Sequence, residues 1–184
     1  SLANPYGSPS LEELCAGKKD IVIISSDHTR PVPSRVTMPI LLHHIHTAAP
    51  EARVRILVAT GMHRPSTHEE LVNKYGDEIV DNEEIVMHVA TDDSMMKKIG
   101  TLPSGGECII NKIAADCDLL LAEGFIEPHF FAGFSGSRKS VLPGIASYKT
   151  IMYNHNGQFV NDSHSRAGNL CHNHVSEDMF AAAE

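Results

Sequence analysis

The chain has 184 residues, of which 42% are hydrophobic, and a formal net charge of −8 that is spread along the sequence without a basic stripe. A chain of this length and composition can bury one ordinary core, so we expect a single domain. The charge pattern argues against nucleic acid as a partner, and no apolar run approaches the about 20 residues of a membrane-spanning helix.

Predicted strands and helices alternate up to residue 122. Short runs of β-branched and aliphatic residues predict buried strands at residues 21–24, 53–59, 84–90 and 118–122. Helices are predicted between them at 37–48, 67–75 and 111–117, the second with a capping box from Thr67 to Glu70 and a stop at Gly76. This alternation predicts an α/β fold, a mostly parallel sheet flanked by helices in a Rossmann-like three-layer arrangement.

The remaining regions have weaker patterns. Residues 93–99 are compatible with a short helix, and residues 103–106 have the composition of a turn. After Gly144 a helix is predicted at 147–152, and the polar stretch 154–174 is expected to be irregular. We expect this tail of the chain to pack against a part of the protein outside it. Ser1 and Leu2 stand in place of an initiator Met and the chain closes on Ala-Ala-Ala-Glu, so we expect a piece of a longer protein.

Cysteine and histidine usage indicates the kind of chemistry to expect. The cysteines form no Cys-x-x-Cys pair and are expected to be reduced thiols of a cytoplasmic protein; they are Cys15, Cys108, Cys117 and Cys171. The 12 histidines suit both proton transfer and metal binding. The run from Cys171 to His174 lacks a second ligand pair at zinc spacing, and no Glu or Asp accompanies His43, His44 and His46 as in a helical metal motif, so we interpret both groups as surface residues.

Polar residues follow three of the predicted strands, in the segments that begin at Ser26, Thr60 and Glu123. In open parallel sheets, ligands bind outside the carboxyl ends of the strands. We therefore expect one cleft to contain Asp27, Arg30, His63 and His129. The alternative for each loop is that its residues cap helices and make turns, and the role of His28 stays open between ligand contact and capping.

The densest stretch, residues 127–140, is rich in glycine and serine and ends in two cations. Such a loop permits close backbone approach, and a following helix N-terminus would present N–H groups to a phosphate. The residues concerned are Ser135, Gly136, Arg138 and Lys139. This is not a Walker A loop, so a plain turn with two solvated cations is the alternative. The first strand also lacks Gly-x-Gly-x-x-Gly, which disfavours an ordinary nicotinamide dehydrogenase.

Four motifs in this order resemble the nickel-dependent lactate racemase family. They are Asp27-His-Thr-Arg30-Pro, Gly61-Met-His63-Arg, the block from Glu127-Pro-His129 through Phe-Phe-Ala-Gly-Phe-Ser-Gly-Ser-Arg-Lys139-Ser, and His155. The resemblance runs from about residue 21 to 155. Ser137 stands where the family commonly has a second glycine, and the family's C-terminal domain is absent from this chain. Residues 1–184 are therefore expected to be a single catalytic N-terminal domain.

The resemblance implies a racemase or epimerase of a 2-hydroxy acid, lactate or a related acid, that uses proton-coupled hydride transfer to a nickel-pincer nucleotide. It implies that this pyridinium-3,5-bisthiocarboxylic acid mononucleotide is attached to Lys139, and that His155 completes the nickel coordination. His63 and His129 match the two catalytic histidines on opposite sides of the substrate. Arg30 would bind substrate oxygen atoms, and Asp27 would orient either a histidine or the cofactor.

The same resemblance implies further partners and leaves alternatives open. The loop at Ser135, Gly136 and Arg138 is a candidate seat for the cofactor phosphate. Enzymes that synthesise the cofactor are expected partners, and the isolated chain is expected to be inactive because the missing domain supplies substrate-binding residues. The alternative from another class is a non-catalytic protein that binds a nucleotide or phosphorylated ligand. A hydrolase is disfavoured, since no Gly-x-Ser-x-Gly elbow follows a strand.

Overall fold

The computed structural model describes residues 5–184, so Ser1 and Leu2, on which the expectation of a longer protein partly rests, lie outside it. The strands are β1 (Asp20–Ser26), β2 (Arg53–Ala59), β3 (Glu84–Met87), β4 (Met96–Thr101), β5 (Glu107–Asn111), β6 (Leu119–Ala122), β7 (Pro128–His129) and β8 (Gly133–Phe134). The helices are α1 (Leu11–Cys15), α2 (Ser34–Ala48), α3 (His68–Tyr75), α4 (Asp77–Asn82), α5 (Lys112–Ala115), α6 (Tyr148–Asn154), α7 (Gly157–Val160) and α8 (His174–Ala183). Short 3-10 helices cover Asp93–Met95 and Ser137–Ser140.

The central sheet is four-stranded and parallel, in the order β3-β2-β1-β6. Alternate residues of its strands face two separate apolar layers. Val22 and Ile24 pack into the layer that contains α6 and α8, whereas Ile21 and Ile23 pack into the layer that contains α1, α2 and α3. The predicted α/β fold with helices on both faces of a parallel sheet is confirmed, and it explains why these strands are hydrophobic throughout.

Most predicted elements are present with small changes in their bounds. The capping box of α3 forms as expected: Thr67 Oγ1 accepts the Glu70 amide, Glu70 accepts the Thr67 amide, and Gly76 ends the helix with φ 91°. Strand β3 ends at Met87 rather than at residue 90. The predicted helix 111–117 is reduced to α5, because Asn111 is the last residue of β5 and caps the helix by accepting the Ile113 amide.

The interpretation of residues 93–99 as a helix is wrong beyond Met95. Residues 96–101 form β4, which pairs antiparallel with β5 across the predicted turn at 103–106. This hairpin was hard to recognise because β4 is exposed along almost its whole length and therefore shows no alternation of buried and exposed side chains.

The expectation that the tail packs outside this chain is wrong for α8. This helix buries Val175, Met179 and Ala182 in the same apolar layer as Val22 and Ile24. The predicted helix at 147–152 is confirmed as α6, and the stretch 154–174 is irregular except for α7. All four cysteines are free thiols. Within residues 5–184, none of the helices has the length and apolar character needed to cross a membrane.

Candidate active site

A cleft with a volume of about 370 Å³ opens at the carboxyl ends of β1, β2 and β6. This volume lies at the lower end of the range for small-molecule sites, roughly 300 to 1,000 Å³. Of the predicted site residues, those that line it are Asp27, Arg30, His63, His129, Ser135, Gly136, Lys139 and His155. The three loops that follow separate strands therefore do come together at one edge of the sheet.

Asp27 and His63 form a hydrogen-bonded pair on one side of the cleft. Asp27 Oδ2 lies 2.7 Å from His63 Nδ1, and Asp27 Oδ1 accepts both the amide and the hydroxyl of Thr29. Burial by itself raises the pKa of Asp27, but the hydrogen bonds from Thr29 and His63 outweigh it and hold that pKa below its ordinary value. Since the ionised carboxylate only accepts, the proton of a neutral His63 lies on Nδ1, which leaves the Nε2 lone pair free.

His129 has the opposite arrangement of protons. Its Nδ1 accepts the backbone N–H of Ala132 at 3.3 Å, so the proton of the neutral ring lies on Nε2. The ring stacks on Phe130 with centroids 4.5 Å apart and meets Phe131 edge-on at 4.6 Å. Burial lowers the pKa of His129 to about 4, with the charge of Lys139 acting in the same direction, so this imidazole is neutral at pH 7.

Lys139 is a partly buried amine at the base of the cleft. Its Nζ lies 5.9 Å from the centre of the Phe131 ring. Burial, together with the positive charges of Arg30 and Arg138, lowers the pKa of Lys139 to about 8. A sizeable fraction of this amine is therefore neutral near pH 7 to 8, and the neutral form is the nucleophile.

His155 caps the carboxyl end of α6 and faces the same cleft. Its Nδ1 is buried and has no hydrogen-bond partner among the described residues, and its ring meets Phe131 edge-on at 5.1 Å. Burial lowers the pKa of His155 to about 4. A neutral imidazole with an unpaired buried nitrogen is the form that binds a transition metal.

The loop before Lys139 has a fixed backbone shape. Gly136 has φ 77°, and a Cβ at this position would lie 2.4 Å from the carbonyl oxygen of Phe125, so only glycine fits. Ser135 donates its amide to the Glu127 carbonyl at 2.8 Å and holds the loop against the opposite segment. Ser137 has φ 45°, a left-handed conformation that is unusual for a residue with a side chain.

Arg138 does not line the cleft. Its guanidinium is buried on the far side of the loop, where it donates to the carbonyl of Ala132 and to Ser176 Oγ on α8 and lies 4.5 Å from the centre of the Phe180 ring. The prediction that the loop at Ser135, Gly136 and Arg138 holds the cofactor phosphate therefore concerns the backbone of Arg138, because its guanidinium packs against α8.

A comparison with known protein families shows which family this chain belongs to. The model of the lactate racemase N-terminal domain matches residues 1–168. The chain belongs to this family.

Its relatives extend well beyond this chain. The lactate racemase of Lactiplantibacillus plantarum is 72% identical over 183 residues, which cover 100% of this chain and 43% of that protein. The lactate racemase of Thermoanaerobacterium thermosaccharolyticum is 53% identical over 184 residues, with the same two shares. This chain therefore spans less than half the length of these curated relatives.

Solved structures agree with the fold. The structure of the lactate racemase apoprotein from Thermoanaerobacterium thermosaccharolyticum has a TM-score of 0.97 and 54% identity, covering 99% of this chain and 44% of that one. A protein from Thermotoga maritima has a TM-score of 0.78 at 22% identity, covering 94% of this chain and 45% of that one, which shows the fold alone.

Two features of this cleft were not expected from the sequence. Glu123 lines the cleft although it is 7% exposed, and it accepts hydrogen bonds from three hydroxyl groups. The rim of the cleft is apolar and exposed at Met62 and Phe130, with exposed fractions of 53% and 75%. The position of Glu123 directly after a predicted strand was a usable signal for a site residue, whereas nothing in the sequence marked the rim.

Proposed function

We propose that this chain is the catalytic N-terminal part of a racemase or epimerase that acts on a 2-hydroxy acid, lactate or a close relative of it. The observation that carries the proposal is the pair of histidines in one cleft with opposite tautomers. His63 offers a lone pair at Nε2, and His129 offers a proton at Nε2. Inversion at a carbon needs a base on one side and an acid on the other, and this pair supplies both at neutral pH.

In this proposal His63 removes the hydroxyl proton of one enantiomer. Asp27 holds Nδ1–H and stabilises the imidazolium that forms when Nε2 takes the proton. His129 delivers the proton from its Nε2 on the other side, and the roles reverse for the other enantiomer. Arg30 lines the same cleft and is suited to hold the substrate carboxylate through charge-assisted hydrogen bonds.

The residues present fit a nickel-pincer nucleotide. The unpaired buried nitrogen of His155 fits a nickel ligand, and the amine of Lys139, with its lowered pKa, fits a covalent attachment point. Residues 5–184 contain no cluster of three or more side chains that would hold a metal by themselves. The resemblance to the family implies only one protein ligand to nickel in this chain, an imidazole. The chemistry that the group supplies when bound is acceptance and return of a hydride.

The loop before Lys139 completes the proposed cofactor site. Ser135 and Gly136 line the cleft, and the close approach of Gly136 to the Phe125 backbone fixes the loop that would hold the phosphate. Arg138 contributes to this site only by supporting the loop. We place the protein in the cytoplasm, together with the enzymes that make the nucleotide.

Mass spectrometry of the chain expressed together with those enzymes tests the proposal. The peptide that contains Lys139 should carry the mass of the nucleotide, and Lys139→Arg should abolish the adduct. Lys149→Arg is the matched control, because Lys149 is exposed and paired with Glu107, and it should leave the adduct unchanged. A phosphate ligand held without any bond to Lys139 would instead favour the non-catalytic alternative.

A further inference from the structure

A buried carboxylate beside the cleft is held by hydroxyl groups rather than by a cation. Glu123 Oε2 accepts the hydroxyls of Ser25 at 2.7 Å and Ser34 at 2.8 Å, and Oε1 accepts the hydroxyl of Thr37. Among residues 5–184, no lysine, arginine or histidine lies within 4.0 Å of this carboxylate to form a salt bridge. A buried carboxylate is costly unless hydrogen bonds satisfy it, so each of these three hydroxyls stabilises Glu123 in this position.

The three hydroxyls flank the loop that carries Asp27 and Arg30. Ser25 lies on β1, two residues before Asp27, while Ser34 and Thr37 lie in the first turns of α2 directly after the loop. The backbone of Glu123 continues β6, since its amide donates to the Ile24 carbonyl at 2.8 Å. The Glu123 side chain therefore forms hydrogen bonds on both sides of the loop at residues 26–33 and holds the loop against the sheet.

The start of α2 explains why a carboxylate is suited to this place. The helix is 15 residues long, its N-cap Pro33 makes no side-chain capping bond, and its first turn has no acidic residue. The positive end of such a helix favours a negative charge. Glu123 supplies that charge from a different strand, so the attraction holds α2, and with it the end of the loop, against β6.

We propose that Glu123 is a positioning residue that holds Asp27 in register with His63 and thereby fixes the proton of His63 on Nδ1. The distance of 2.7 Å between Asp27 and His63 depends on where the loop after β1 stands relative to the loop after β2. Loosening either end of the loop moves Asp27 away, and a His63 without this partner no longer has a fixed tautomer. The catalytic consequence rests on the proposed function, but the tautomer does not.

The test is nitrogen-15 NMR of the imidazole rings of this chain, without cofactor, at a pH where the rings are neutral. In the parent protein, His63 Nδ1 should give the signal of a protonated ring nitrogen. In Glu123→Gln that signal should shift toward that of an unprotonated nitrogen, in the direction given by Asp27→Asn. Ser34→Ala, which keeps the charge and removes one anchor, should shift it by a smaller amount.

The matched control is Asp178→Asn. Asp178 is also a fully buried carboxylate that binds two other segments, Ser104 and Asn154, but it lies away from the Asp27 loop. Asp178→Asn should lower the free energy of unfolding and leave the His63 signal unchanged. If Glu123→Gln folds and keeps the parent His63 signal, the proposal is overturned; if it does not fold, a parent signal in Ser34→Ala overturns it. Neither result depends on whether the loaded enzyme is a racemase.

Discussion

Asp27 and His63 come from loops that follow neighbouring parallel strands, and their side chains meet with Oδ2 2.7 Å from Nδ1. Asp27 is 2% exposed, whereas the side chain of His63 is 50% exposed on the cleft side. The pair therefore joins a fixed, buried acceptor to a ring whose other nitrogen is available to a ligand. This geometry gives His63 one tautomer, and the catalytic proposal depends on it.

Replacing Asp27 with Asn should remove the preference of His63 for the tautomer with its proton on Nδ1, because an amide can donate as well as accept. The neutral amide also no longer stabilises an imidazolium. We expect kcat of the full-length, cofactor-loaded enzyme to fall by about 10²- to 10⁴-fold, the usual range for general-base function. Steady-state racemisation assays measure this loss. Asp81→Asn, on the exposed side of α4, is the control and should retain parent activity.

Ser137→Gly should stabilise the protein. Ser137 has φ 45°, where a side chain costs energy and glycine does not, so the relief should exceed the entropy that glycine costs in the unfolded chain. We expect a net gain of up to about 1 kcal/mol in the free energy of unfolding, measured by urea denaturation. Ser140→Gly, at a negative φ in the same 3-10 helix, should have the opposite sign; equal effects of the two variants would refute the backbone argument.

Arg138 should contribute to stability rather than to ligand binding. Arg138→Met leaves the carbonyl of Ala132 and the hydroxyl of Ser176 without a partner, so the free energy of unfolding should fall by about 2 kcal/mol. Thermal and urea denaturation measure it, with exposed Arg166→Met as the control that should change little. Unchanged stability together with lost phosphate binding would show that Arg138 contacts the ligand after all.

Acid should destabilise the fold through His88. This fully buried ring donates from Nε2 to the Ala146 carbonyl and accepts at Nδ1 from Asn111, whose oxygen is already used to cap α5. Burial lowers the pKa of His88 from 6.5 to about 4. The neutral His88 therefore makes its full contribution to the free energy of unfolding above pH 6.5. As the pH falls from 6.5 to 4, the unfolded state gains a proton that the folded state does not, and the free energy of unfolding falls by about 3 kcal/mol.

Urea denaturation at several pH values measures this loss. The lowered pKa values of His129 and His155 act in the same direction, so the slope of stability against pH is shared among the three rings. His88→Gln should make the slope shallower between pH 6.5 and 4, and replacement of exposed His43 by Gln should not. An unchanged slope in His88→Gln would mean that His88 already accommodates a proton in the folded state.

The elements that the sequence predicted well are those with a local cause. The capping box from Thr67 to Glu70 and the apolar runs of β1 and β2 are each recognisable from the local sequence. The rule that ligands bind at the carboxyl ends of parallel strands then correctly predicted that His63 and His129 line one cleft. The hairpin of β4 and β5 was missed because β4 is solvated on both faces and leaves no periodic pattern.

The details of the site that the sequence could not predict depend on contacts between distant segments. The direction of Arg138 is set by the left-handed turn at Gly136 and Ser137 and by its partner on α8, a helix that the sequence pattern did not reveal. The role of Glu123 depends on hydroxyls from β1 and α2, at least 86 positions away along the chain. Such pairings follow from the packed fold and not from local composition.

The central claim is that His63 and His129 act on opposite sides of one substrate carbon. Single-turnover assays of full-length, cofactor-loaded His63→Ala and His129→Ala, each with each pure enantiomer, test it most directly by following formation of the keto acid. Each variant should oxidise one enantiomer about 10²- to 10⁴-fold more slowly and spare the other, in mirror-image patterns, while racemisation fails in both. Racemisation at the parent rate by either variant, or loss of the same half-reaction in both, would contradict the assignment.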